Sequence, residues 1–276
     1  MKKLYFGTAG TPFGSKSTEH GIKIVKQMGL DALELEFVYG IYMNKENALR
    51  VGKTARTENV ILTCHAPYYI NLNSLEKEKV KASKQRIIKS AEIASLCNAW
   101  SLTFHCGYYM KKEKNYVYEK IKKEIKEIVK ELKNKNIKIW IRPETTGKKS
   151  QFGNLDEVLK LSQEIEYVMP CIDFAHLHAR SGKINTYEEF CEIFDKVESA
   201  LGKDGLKNIH AHISGIKYNE NGERHHLNLK DSDFKIKELI KAFKAYKIKG
   251  VIICESPNNG CKNGDTVFIK KLFSSS

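Results

Sequence analysis

The chain has 276 residues, with 47 Lys+Arg against 33 Asp+Glu, a formal net charge of +14 and 41% hydrophobic residues. Such a composition is neither that of a disordered chain nor that of a membrane-embedded one, and the length suits either one barrel or two small domains. No run reaches the roughly 18 apolar residues of a membrane-spanning helix, Met1-Lys2-Lys3 opens no secretory signal, and the seven cysteines include no Cys-x-x-Cys pair, so a reducing cytoplasm is the expected setting.

Short apolar runs that read as strands alternate with longer helical patterns from one end to the other. A strand at 4–7 precedes a helix at 18–28, a strand at 32–37 precedes a helix at 44–58, and a strand at 60–65 precedes a helix at 76–96. The strand at 102–105 leads into a Lys-rich stretch at 111–135, where Ile121, Ile125, Ile128, Val129 and Leu132 form one apolar stripe. Strands at 137–144, 170–173, 208–213 and 250–255 follow, with helices at 155–164, 187–200, 235–247 and 266–272. Eight strand-then-helix units without a low-complexity linker predict an α/β fold, a single (β/α)8 TIM barrel over residues 1–276. A doubly wound sheet is the competitor, but no Gly-x-Gly-x-x-Gly follows the first strand, and Gly7-Thr8-Ala9-Gly10 is too weak a turn to indicate a dinucleotide site.

In such barrels the chemistry sits at the carboxyl ends of the strands. There the sequence places His65, His105, Glu144, Asp173 with His176 just beyond, His212 and Glu255. Alternation turns His65, His105, His212 and Glu255 toward the barrel interior and turns Cys64 and Cys106 toward the helices. His210 shares the face of His212 but lies deeper, so it reads as a hydrogen-bonded core residue. Glu223 and His225, two apart in a Gly- and Asn-flanked segment after the seventh strand, would project the same way from an extended backbone. Gathering these carboxylates and imidazoles unpaired at one mouth would be costly without cations. A His-plus-carboxylate set favours zinc, with manganese or iron(II) next.

These residues resemble the endonuclease IV family of apurinic/apyrimidinic endonucleases. The matching segments are His65-Ala66-Pro67-Tyr68, Phe104-His105-Cys106-Gly107, Arg142-Pro143-Glu144-Thr145-Thr146-Gly147, Asp173-Phe174-Ala175-His176, Ala211-His212-Ile213, Glu223-Arg224-His225-His226 and Cys254-Glu255-Ser256-Pro257. The resemblance implies three zinc ions. His65, His105 and Glu144 would hold the first, Glu144, Asp173, His212 and Glu255 the second, and His176, Glu223 and His225 the third, with Glu144 bridging. It implies Glu144 and Glu255 as catalytic residues and Tyr68 as a DNA contact. It also implies incision of duplex DNA 5′ to an abasic site, leaving a 3′ hydroxyl. The nucleophile would be a hydroxide between two zinc ions, since coordination lowers the pKa of water from about 15.7 to about 7.

The chain departs from the family in having Glu223 where Asp is usual, and in its first-strand sequence Phe6-Gly7-Thr8-Ala9-Gly10-Thr11. Its loop Tyr39-Gly40-Ile41-Tyr42-Met43-Asn44 also lacks the family's basic, Gln-rich character. The main rival is a metal-dependent sugar isomerase or epimerase of the xylose isomerase-like barrels, for which Glu144, Asp173, His212 and Glu255 alone would suffice. A nucleic-acid-binding protein without catalysis is the other. On the favoured reading the partner is abasic duplex DNA, bound with strong salt dependence by a monomer that has no membrane contact.

Overall fold

The computed structural model describes residues 1–275. Its parallel strands are β1 (Leu4–Ala9), β2 (Ala32–Glu36), β3 (Ile61–His65), β4 (Ser101–Phe104), β5 (Trp140–Pro143), β6 (Cys171–Asp173), β7 (Ile209–Ile213) and, after a hairpin, β10 (Gly250–Cys254). They pair in the order β5-β4-β3-β2-β1-β10-β7-β6. The remaining seam, between β5 and β6, is joined by single bridges at Ile141–Val168 and Glu144–Cys171, which leaves a nearly closed barrel. The predicted TIM barrel is therefore the fold. The fifth strand is shorter than the predicted 137–144 because the Ile137 N–H is used at the preceding helix end, where it donates to Leu132 O at 3.0 Å beside the left-handed Asn136.

Outside the strands run α1 (Thr18–Gln27), α2 (Lys45–Glu58), α3 (Lys77–Leu96), α4 (Lys114–Asn134), α5 (Leu155–Glu164), α6 (Phe174–Ser181), α7 (Tyr187–Leu206), α8 (Ile236–Ala245) and α9 (Asp265–Ser274). Local sequence starts several of them. Asn154 with Glu157 and Thr186 with Glu189 form capping boxes at α5 and α7, satisfying orphan backbone donors at both ends of the motif. The stripe predicted in the Lys-rich stretch is the buried face of α4. Among the described residues no helix is long and apolar enough to cross a membrane.

The strands alternate as parallel barrel strands should. Leu33, Leu35, Leu62, Cys64, Leu102 and Phe104 pack outward into the large core beneath the helices. Ala32, Val251 and Ile253 fill the lower interior. Arg142 is wholly buried there, donating to Pro170 O at 2.7 Å and Asn208 Oδ1 at 2.9 Å, with its guanidinium 4.3 Å from the Trp100 ring centroid. Burial pushes its pKa down to about 9, so these acceptors and the ring face are what keep it charged.

Two features beside the barrel mouth are absent from the sequence reading. The first is α6, which begins at once after β6 because Asp173 caps it, accepting from the His176 N–H at 2.6 Å. The second is a hairpin of β8 (Gly215–Asn219) and β9 (Gly222–Leu227), in place of an extended loop. Tyr218 pairs with Glu223 and Lys217 with His225, which leaves Arg224 as a bulge.

Candidate metal centre

Glu144 stands at the centre of the mouth. Its carboxylate oxygens lie 3.3 Å from His65 Nε2, 3.2 Å from His105 Nε2, 3.4 Å from His176 Nδ1 and 3.3 Å from His212 Nδ1, and it accepts from Thr103 Oγ1 at 3.1 Å. Burial opposes its charge, but the His212 and His105 imidazoles hold it well below the usual carboxylate range. His65, His105 and Glu144 form one group of convergent ligand atoms, and Glu144, Asp173, His212 and Glu255 form a second, every atom within 4.8 Å of the others in its group.

The orientation of the imidazoles is more informative than their proximity. His65 Nδ1 faces Ala66 O at 2.7 Å and His176 Nδ1 faces Thr145 O at 3.0 Å, so in each ring that nitrogen carries the proton. The opposite nitrogen, Nε2, then presents a lone pair to Glu144 Oε2 in the first case and to Glu223 Oε2 at 3.3 Å in the second. Lone pairs facing carboxylates repel unless a proton or a cation lies between. Backbone carbonyls commonly fix the tautomer of metal-ligating histidines in this way. Buried oxygens that accept no hydrogen bond include Asp173 Oδ2 and Glu255 Oε2. The donor set therefore fits a divalent cation such as zinc.

The third group corrects the sequence reading. The bulge at Arg224 shifts the alternation of β9, so His225 points to solvent and His226 turns to the mouth. His226 Nδ1 faces Glu255 O at 3.3 Å, and its Nε2 lies 3.5 Å from His176 Nε2. Two imidazole nitrogens and the Glu223 carboxylate thus converge, and Asp173, His176 and His226 are themselves within ligating reach. Glu223 approaches because position 147 is glycine: a Cβ there would come within 2.5 Å of Glu223 Cβ. The hairpin is tied to the same loop by Glu223 N to Gly147 O at 3.0 Å. Arg180 holds that loop from below, donating to Lys148 O at 2.6 Å and Gln151 O at 3.0 Å. His226→Ala is expected to lower the metal content by one ion per chain and His225→Ala to leave it unchanged, as read by elemental analysis; the reverse outcome would restore His225 as the ligand.

Tyr68 is 55% exposed on the wall of the cavity, its ring edge-on to His65 at 5.5 Å. The cavity is about 240 Å³, with Tyr108, Lys148 and Gln151 on its rim beside the ligands. Sequence reasoning missed Lys148, which nothing marks out from the other lysines. It also missed Glu34 and Glu36 on the interior face of β2, although their spacing of two was the signal. Burial, reinforced by Glu34, pushes the Glu36 carboxyl up to about 8. His210 is the buried core histidine the pattern predicts, 3.0 Å from Ser101 Oγ, and burial pushes its pKa down to about 4. Cys171 lies near His210 and His212, but burial raises its thiol to about 12, which keeps it a neutral packing group in the metal-free barrel.

A family model described as "Xylose isomerase-like TIM barrel" matches residues 22–271. The chain belongs to that family. It is similar to an uncharacterised protein of Methanocaldococcus jannaschii, 45% identical over 255 residues that cover 92% of each chain. A probable endonuclease 4 of Thermoplasma volcanium is 29% identical over 191 residues, covering 67% of this chain and 64% of that protein. Among solved structures, endonuclease IV from Thermus thermophilus superposes with a TM-score of 0.77 at 16% identity, covering 99% and 100% of the two chains. A D-tagatose 3-epimerase-like protein gives 0.74 at 18% identity, covering 98% and 96%. Likeness at these identities establishes the fold alone, one that both the endonuclease IV and the epimerase-like structure share.

Proposed function

We propose that this single-domain barrel is a zinc-dependent DNA repair endonuclease that hydrolyses the phosphodiester 5′ to an abasic site in duplex DNA. The observation that carries the reading is the third ligand group. An isomerase or epimerase needs Glu144, Asp173, His212 and Glu255, but it has no use for His105, His176, Glu223 and His226 converging beside them. His65, His105 and Glu144 would hold one ion, Glu144, Asp173, His212 and Glu255 a second, and His176, Glu223 and His226 a third. Bound divalent ions supply a water that ionises near neutral pH and neutralise charge on a phosphate.

The protein's own part is orientation. Ala66 and Thr145 carbonyls fix the rings of His65 and His176, while Lys148 on the rim is placed to meet a phosphate oxygen. Tyr68 offers an exposed ring to the sugar of the extruded residue. An abasic nucleotide has no base to unstack, so rotating it into this mouth avoids the few kcal/mol that an intact nucleotide requires. The net charge of +14 supports binding to a polyanion.

The second reading is a metal-dependent sugar epimerase, for which Glu144, Asp173, His212 and Glu255 by themselves form a convergent cation site. Incubation with a synthetic abasic duplex and zinc or manganese separates the two. Incision leaving a 3′ hydroxyl, with three metal ions per chain, is the expected result. No incision at high enzyme concentration, with one ion per chain, would overturn it.

A further inference from the structure

Glu34 on β2 faces the barrel interior one layer beneath the metal ligands, and it lies between two histidines. Its Oε2 is 3.2 Å from His210 Nε2 and its Oε1 is 3.0 Å from His212 Nε2, with all three residues at 0% exposure. The far nitrogens extend the line in both directions. His210 Nδ1 lies 3.0 Å from Ser101 Oγ, while His212 Nδ1 lies 3.3 Å from both Glu144 and Glu255. Ser101, His210, Glu34 and His212 thus form a polar column that rises through the barrel to its mouth.

A carboxylate sealed from water is very costly unless it is paired. The two imidazole Nε2 atoms are the nitrogens within reach, at 3.0 and 3.2 Å and off the line of a regular hydrogen bond, and a proton on each offsets the buried charge. With its proton on Nε2, His212 is left with a lone pair on Nδ1, the nitrogen that faces Glu144 and Glu255. Without Glu34 the group left beside His212 in this layer is the Cys171 thiol, a weak hydrogen-bonding partner, and the ring could present either nitrogen.

We propose that Glu34 is a positioning residue for the metal ligand His212: by accepting the Nε2–H it fixes the ring so that Nδ1 faces the cation site, and its charge strengthens that nitrogen as a donor. His210 faces the other carboxylate oxygen and packs edge-on against the His212 ring. The proposal rests on the metal-centre reading of Glu144, Asp173, His212 and Glu255. It does not depend on the substrate.

The test is titration of metal-free protein with Co²⁺ or Zn²⁺ against a competing chelator, with folding followed by circular dichroism and thermal melting. Glu34→Gln is expected to weaken one class of site about 10- to 100-fold, the range seen when the hydrogen-bond partners of metal ligands are removed. His210→Asn is expected to lower the melting temperature while changing metal affinity no more than about threefold, the response of a residue that packs edge-on against the His212 ring without setting its tautomer. A folded Glu34→Gln protein with wild-type affinity would overturn the proposal. If that variant fails to fold, ¹⁵N spectra of the metal-loaded wild-type protein decide: His212 must be metallated at Nδ1 and protonated at Nε2, and coordination through Nε2 would overturn it. Wild-type protein that loads metal yet leaves abasic duplexes intact would end the nuclease reading while leaving the role of Glu34 standing.

Discussion

Glu144→Ala is expected to strip metal from at least two of the three ligand groups and to lower incision by about 10³-fold or more. Metal ions contribute several kcal/mol of transition-state stabilisation, and each 1.36 kcal/mol is a factor of about ten in rate. Glu144 stands in two of the three groups and lies within 3.4 Å of His65, His105, His176 and His212. Its removal leaves four imidazoles around an empty centre. Breaking a buried charged pair by deleting one partner typically costs about 3–5 kcal/mol, so the metal-free variant should also melt earlier than metal-free wild type. Glu144→Gln keeps the shape and the Thr103 contact but loses the charge, and should show the metal defect with a smaller loss of stability. Elemental analysis, incision assays and melting curves check the three parts. Full metal content in either variant would remove Glu144 from its bridging role.

Most of the mouth was legible because barrel geometry converts position along a strand into position at the site. His65, His105, Glu144, Asp173 and Glu255 end or follow strands, and a period of two sets which way they point. What was not legible is backbone irregularity. In β9 the extra residue Arg224 shifts the alternation by one, exchanging His225 for His226, and no residue type in Glu223-Arg224-His225-His226 announces a bulge. The short helix α6 was hidden for a related reason. At eight residues it is too brief for periodicity, and its start depends on Asp173 acting as a cap as well as a ligand candidate. Glu34 and Glu36 are a different kind of omission. A period of two over 32–37 puts both on one face, opposite Leu33, Leu35 and Phe37, but paired carboxylates inside a barrel lack meaning until the histidines opposite them on β7 are known. Register supplies that link, since β7 pairs with β10, β10 with β1 and β1 with β2.

Glu255→Gln, on the nuclease reading, is expected to lower incision at least about 10²-fold while leaving affinity for abasic duplex DNA nearly unchanged. The two effects separate because they arise in different places. Glu255 follows β10 with Oε1 3.3 Å from His212 Nδ1, its backbone carbonyl orients His226, and its Oε2 is buried without a hydrogen-bond donor. Glutamine preserves the volume and the backbone contact to His226 but puts a neutral amide where the second cation needs a charged ligand. The electrostatic preorganisation lost at such a position is typically about 10²–10³ in rate. DNA affinity comes instead from phosphates meeting Lys and Arg over a wide surface, and its dependence on salt counts those contacts. The slope of log affinity against log salt should therefore be the same for variant and wild type. Fluorescence anisotropy across a salt series, read beside single-turnover incision, measures both. A parallel loss of binding would mean that Glu255 supports the DNA-facing surface, and the incision defect would then be no evidence for its place at the metal centre.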